Sequence, residues 1–252
     1  ECPFHGWRFD GAGQNRHVPL NPDAKRELLG AIPIPARQLG EMIWVYTAPG
    51  AAAPSEPSPP EGMVAPGLAR IYLERAWSCH WTRAMENMLD SPHLPFVHRA
   101  TIGKALRRRM NPSSRMDIDW TETAHGGIAR AVLDGVDGGA FLEYHKPNIM
   151  ALHIPIPGRH FRFHALVIPV DQHTTRMVLA GSRDFARAPF MNVFFSLTNL
   201  RILNEDRAVV ESSQPAEIPP PGQERSVRTD QATLAFRKYY FEVLRPSRAG
   251  AA

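Results

Sequence analysis

Between Met116 and Ser182 apolar and polar residues alternate in short runs separated by turn residues, and this alternation sets the architecture. Residues 127–132, 140–144, 149–154, 161–169 and 175–180 each read as a strand. The segments joining them are too short to carry helical crossovers, so the pattern predicts an antiparallel sheet. A further strand is predicted over 69–76. Residues 81–90 have helical character, with Met85 and Met88 three apart. From Phe190 to Ser213 no glycine or proline interrupts and the period becomes helical. A last helix is predicted from about Thr229, with Asp230 near its start, to Leu244 before Pro246.

The first 47 residues differ in texture. Gly11, Gly13 and the segments Val18-Pro19-Leu20-Asn21-Pro22 and Ile32-Pro33-Ile34-Pro35 break them into short strands and turns, and 41–46 forms a closing strand. Residues 51–60, rich in alanine, proline and serine, read as a linker. The predicted organisation is therefore a small domain over 1–50, a linker over 51–64 and a main domain over 65–252. Helix, sheet, long helix and helix in succession make the main domain α+β.

Composition narrows the possibilities. The chain has 252 residues, 43% hydrophobic and 21% charged, an ordinary balance for a globular protein with a sizeable core. Net charge is +4 and the one tight basic run is Arg107-Arg108-Arg109, which reads as a solvated loop or helix end, so no nucleic-acid partner is expected. No apolar stretch approaches the ~20 residues that span a bilayer, so no membrane role is expected. Cys2 and Cys79 do not make a disulfide framework, and a reducing cytoplasm is the expected compartment. The first residue is Glu1, inside a motif, so an N-terminal segment is expected to be missing.

The chemistry concentrates in Asn87-Met-Leu-Asp90-Ser-Pro-His93-Leu-Pro-Phe-Val-His98. Two imidazoles completed by a distant carboxylate would form the facial triad that holds non-haem Fe(II) and leaves positions open. On an ideal helix His93 and His98 would stand about 140° apart, at ~100° per residue. Pro92 and Pro95 forbid a regular helix there, and the kink they impose is what a metal site needs. Glu86 and Asn87 are near enough in sequence to orient the histidines. Cys79 and His80 read as a buried thiol and a core histidine, and His145, His153 and His164 as packing or surface residues of the sheet.

A second motif opens the chain. Cys2-Pro-Phe-His5-Gly6-Trp7-Arg-Phe9 resembles the second ligand pair of Rieske-type oxygenases, in its flanking residues as well as in its ligands. The first pair, a Cys-x-His, is absent from the sequence. The run from Asn87 to His98 resembles the mononuclear iron site of the same family, in the vanillate O-demethylase-like branch. The resemblance implies a terminal oxygenase α subunit: part of an all-β Rieske domain, then a helix-grip (START-like) catalytic domain with an antiparallel sheet. It implies that Cys2 and His5 belong to a [2Fe–2S] cluster, that His93 and His98 hold iron, and that Asp90 bridges toward a neighbouring subunit's cluster. Asn87 matches an asparagine near the iron. The third ligand implied is Asp206, in a segment where Glu211 also fits the family pattern, with Glu205 as runner-up. An aromatic or polycyclic substrate, dioxygen, a reductase or ferredoxin donor and a homotrimer follow by the same resemblance. The alternatives are ring cis-dihydroxylation within the family, a zinc hydrolase, or a non-catalytic helix-grip ligand-binding protein.

Overall fold

A computed structural model describes residues 1–48, 52 and 55–245. Ala51, Ala53 and Pro54 of the predicted linker, and Pro246 of the predicted helix stop, lie outside the described residues. The chain divides into two compact units, Glu1–Val64 and Ala65–Ala252.

The first unit contains two small antiparallel ribbons. Strand β1 (Arg8–Phe9) pairs with β2 (Asn15–His17), and β3 (Ala36–Leu39) pairs with β4 (Met42–Val45). Asp10 closes the first ribbon: its Oδ1 accepts from the amides of Ala12 and Gln14, at 3.0 and 2.9 Å, and its Oδ2 from Arg16. Cys2 to Trp7 folds into a turn in which the Gly6 amide donates to the Cys2 carbonyl at 2.9 Å. Gly6 has φ +70°, a region that an L side chain rarely adopts. The predicted linker ends in a helical turn, α1 (Glu61–Val64), in which Gly62 and Met63 are buried.

In the second unit β5 (Ala69–Trp77) leads into α2 (Trp81–Leu89), α3 (Leu94–Val97) and α4 (Lys104–Arg109). Then follow β6 (Met116–Thr123), β7 (Gly126–Leu133), β8 (Val136–His145), β9 (Ile149–His153), β10 (Phe161–Pro169) and β11 (Thr175–Arg183). The long helix α5 (Pro189–Val210) and α6 (Gln231–Tyr239), which runs on into a π turn over Tyr240–Leu244, complete the unit. The strands form one seven-stranded sheet in the order β5-β11-β10-β9-β8-β7-β6, antiparallel throughout. This is the α+β architecture that the pattern predicts. Strand β6 and the short helices α1, α3 and α4 are not among the predicted elements, and α5 ends three residues before the predicted Ser213.

Strand alternation decides what faces the helices. Leu142 and Tyr144 of β8, Met150 of β9, Ala165 and Val167 of β10 and Met177 of β11 are buried against α2, α5 and α6. Glu143, His145, His153 and His164 have the opposite parity and therefore the other face. There Glu143 sits 3.2 Å from His145 Nε2 and 2.9 Å from His153 Nε2, and His153 stacks on Phe141. Burial pushes the His164 imidazole down to about 3.

Helix α2 buries Trp81, Ala84, Met85, Met88 and Leu89, the i, i+3, i+4, i+7, i+8 face of an amphipathic helix. His80 caps it, its Nδ1 2.7 Å from Thr82 Oγ1, and the Cys79 carbonyl accepts from Thr175 Oγ1 at 2.8 Å. Trp81 meets Phe236 and Tyr240 edge-on, each at 5.6 Å between ring centroids, so it joins α2 to α6. Replacing Trp81 with alanine is expected to cost about 3–5 kcal/mol of unfolding free energy, measured by denaturant titration. A loss below about 1 kcal/mol would show that this junction does not hold α6 in place.

Candidate metal centre

The link between α2 and α3 brings the two histidines together. Helix α2 stops at Leu89 and Asp90 is extended, with ψ 113°. His93 is then the N-cap of α3 and His98 its C-cap, with Pro95 inside the first turn, where its missing N–H costs nothing. A single helical turn between two caps replaces the 140° divergence of a continuous helix, and the rings approach to 5.2 Å between centroids. The return after His98 needs Gly103, because a Cβ there would lie 1.9 Å from the Leu94 carbonyl oxygen.

Helix α5 presents the carboxylate. Asp206 Oδ1 lies 3.0 Å from His98 Nε2 and 3.5 Å from His93 Nε2. One ligand atom from each of His93, His98 and Asp206 falls within 4.8 Å of the others, the one such group of histidine, cysteine or acidic side chains among the described residues. All three side chains are largely buried, with His98 at 2% and Asp206 at 6% exposure. Both imidazoles turn Nε2 inward. Burial pushes His93 below the usual histidine value, with Asp206 opposing, so its ring is neutral near pH 7 and can ligate. Burial acts the same way on His98, but contacts with Asp206 and Glu205 outweigh it and the net shift is upward.

The outer nitrogens are held differently. Glu205 Oε2 is 2.9 Å from His98 Nδ1 and accepts from Thr101 Oγ1 at 2.6 Å, while Arg201 approaches its other oxygen at 3.4 Å. Glu205 thus stands behind His98 and not among the converging atoms. On the far side, His93 Nδ1 is buried without a hydrogen bond, and its nearest carboxylate oxygen is Asp90 Oδ2 at 3.9 Å. Asp90 is pushed up to about 6 by burial, with Asp230 and Glu86 adding to the effect. Asn87 donates its Nδ2 to Asp206 Oδ1 at 3.0 Å. Glu86 pairs instead with Arg83 and Arg237, and Glu211 accepts from the Ser78 amide and Arg207. Neither reaches the histidines.

The donor set suits a mononuclear iron ion: two imidazole nitrogens and one carboxylate on one side, with a cavity on the other. That cavity, about 730 Å³ of empty space partly open to solvent, is lined by Asn87, Asp90, His93, His98 and Asp206 and otherwise by apolar side chains and Asn199. Thr101 and Glu205 as partners of His98, and Asn199 as a polar residue on the cavity wall, were not singled out by sequence. Adjacent acids on one helix point about 100° apart, so Glu205 and Asp206 cannot both face the histidines' Nε2 atoms, but nothing local in the sequence says which one does.

In the first unit Cys2 is half-buried and His5 exposed, with Phe4 packed edge-on against the His5 ring at 3.8 Å. A Rieske centre takes two cysteines and two histidines. Cys2 is the one cysteine of this unit, so the residues present do not make up that site. Cys79 is buried beside α2 and its thiol is pushed up by burial, which suits an inert core residue. Arg107, Arg108 and Arg109 form the last turn of α4.

Residues 77–245 match the family model described as the vanillate O-demethylase oxygenase C-terminal domain. The chain is 24% identical over 289 residues to methylxanthine N1-demethylase NdmA of Pseudomonas putida, covering 99% of this chain and 72% of that protein. It is 25% identical over 231 residues to the chloroplastic chlorophyllide a oxygenase of Arabidopsis thaliana, covering 85% of this chain but only 40% of the relative's length. The crystal structure of dicamba monooxygenase bound to dicamba shares the fold, with a TM-score of 0.77 at 20% identity, over 98% of this chain and 80% of that one. No helix among the described residues is long and apolar enough to cross a membrane. With a single family model covering both histidines, the long helix and six of the seven strands of the sheet, the chain belongs to the vanillate O-demethylase oxygenase C-terminal domain family, on the α-subunit side of the Rieske non-haem iron oxygenases.

Proposed function

We propose that this chain is the catalytic part of a Rieske-type terminal oxygenase that hydroxylates or demethylates a small aromatic substrate. The observation that carries the reading is the convergence of His93 Nε2, His98 Nε2 and Asp206 Oδ1 at the end of an apolar cavity. Family membership and relatives named as oxygenases and demethylases support it. Fe(II), held by His93, His98 and Asp206, would supply the activation of dioxygen.

The protein's own residues do the positioning. Glu205 accepts from the His98 Nδ1 proton, so Nε2 is the nitrogen left to a metal ion on the side of Asp206. Asn87 holds the Asp206 carboxylate in place through one oxygen. The aliphatic walls keep water from the reacting centre and bind the substrate by apolar contact. Asp90, beside His93 Nδ1, is the carboxylate proposed to connect this site to an electron-delivering cluster. Cys2 and His5 are proposed as one half of the ligands of such a Rieske cluster, within a domain over about 1–50, with a reductase or ferredoxin as donor. A homotrimer is proposed as the assembly: α5 leaves Phe190, Val193, Phe194 and Leu197 exposed on one stripe, which an additional copy would cover.

Metal analysis of the purified chain tests the reading. About one iron per chain is expected. Zinc in its place would favour a hydrolase, and no metal a ligand-binding protein. Glu205→Ala is expected to weaken iron binding ten- to a hundredfold, measured by competition with a chelator, because His98 loses the acceptor that orients it. Unchanged affinity would show that α3 alone orients that ring.

A further inference from the structure

The cavity's wall chemistry says what kind of molecule it takes. Away from His93, His98 and Asp206 its walls are Met88, Leu142, Met150, Leu152, Phe163 and Leu203 among other apolar side chains. No lysine or arginine lines it. Asn87 has spent one Nδ2 hydrogen on Asp206, and Asn199 has spent one on the Phe195 carbonyl at 2.7 Å. Each amide keeps its Oδ1 and one N–H free, so away from the metal ligands the acceptors the cavity offers are the two amide oxygens and the Asp90 carboxyl. At the end remote from the iron, an anion buried there would find no lysine or arginine to compensate its charge, a cost of several kcal/mol. Asn199 and Asp206 are seven residues apart on α5, the same face two turns on, so the amide oxygen stands about 10 Å along the helix from the carboxylate.

Resting on the oxygenase reading above, we propose that the substrate is an uncharged, mainly hydrophobic molecule with one hydroxyl or N–H donor at the end remote from the reacting group. Asn199 Oδ1 accepts that donor, and molecules bearing an anionic group are refused. The aliphatic wall supplies affinity by area, and Asn199 supplies orientation. Its amide cannot be read the other way round, because an oxygen turned to the Phe195 carbonyl would meet a second acceptor.

Three aryl methyl ethers of one shape test this by calorimetric binding to the iron-loaded chain without oxygen. They are 4′-methoxybiphenyl-4-ol, 4-methoxybiphenyl and 4′-methoxybiphenyl-4-sulfonate, the last permanently charged and a weak metal ligand. The phenol is expected to bind best, and the sulfonate at least a hundredfold more weakly. Asn199→Leu is expected to weaken the phenol about three- to tenfold and to leave 4-methoxybiphenyl unchanged, a split that a merely structural role would not produce. Sulfonate binding within tenfold of the phenol overturns the proposal, as does failure of both neutral probes to bind. An equal effect of Asn199→Leu on the two neutral probes removes Asn199 from it. The wild-type comparison stands even if the variant does not fold. The iron content of the same sample separates the two readings: neutral preference without iron refutes only the oxygenase, and iron with a preference for the sulfonate refutes only the substrate class.

Discussion

Asp206→Ala is expected to abolish iron binding, with metal analysis of the purified variant finding no iron above background while the fold persists. The carboxylate supplies the only negative charge among the three converging groups, and its Oδ1 lies within 3.5 Å of both imidazole Nε2 atoms. Without it two neutral imidazoles remain, a pair that holds Fe(II) weakly. The change also deletes the hydrogen bond from Asn87 and leaves that amide unpaired in a largely buried site. Full iron occupancy in this variant would sink the ligand set. His93→Ala is expected to behave alike, and Glu205→Ala to retain iron at reduced affinity, so the three variants separate the groups that bind from the one that orients.

The second large effect belongs to Asp90. In a polypeptide carrying all four cluster ligands, Asp90→Asn is expected to leave iron bound but to reduce donor-driven turnover by about a hundredfold or more, since a charged acceptor beside His93 Nδ1 becomes a neutral amide. Iron content and single-turnover rate, measured on one sample, check it; unchanged turnover would refute a bridging role. Unfolding would not explain a loss. In the iron-free chain Asp90 titrates at about 6 in the folded state, above the roughly 4 of an unfolded aspartate. A raised folded pKa means that the protonated form favours folding, and that this contribution is lost as pH rises from about 4 through 6. Asparagine never ionises, so the variant's stability relative to the parent chain should grow across that window and hold at pH 7. Thermal melts at pH 4 and pH 7 read this directly.

Much of this fold could be read along the chain. Period-two alternation from Met116 onward gave an antiparallel sheet, because each strand buries one face and the turns between them are short. Strand β6, Met-Asp-Ile-Asp-Trp-Thr-Glu-Thr, escaped notice because it is a sheet edge and its polar residues outnumber its apolar ones. Helix α4 was hidden by its arginines, which gather at its C-terminal turn, where the helix dipole favours cations. Nothing in the sequence says that β5 pairs with β11. That pairing sends the connection through α2, α3 and α4 across the sheet from one edge to the other, and so lays His93 and His98 over it.

Sequence alone determined the chemistry available: two histidines five residues apart, prolines at 92 and 95 that prevent α2 from running on through them, and an acidic pair near the end of a long apolar helix. Those are local facts, fixed by residue type and by what proline forbids. Tertiary structure alone decided how the acidic pair divides. Adjacent residues on α5 point in different directions, so packing the helix on one face turned Asp206 toward both Nε2 atoms and left Glu205 behind His98 Nδ1. The same rotation put Asn199 on the cavity wall and spent its amide nitrogen on its own helix. Rotation about a helix axis is set by long-range packing, and a sequence in which both choices are acidic carries no local signal for it.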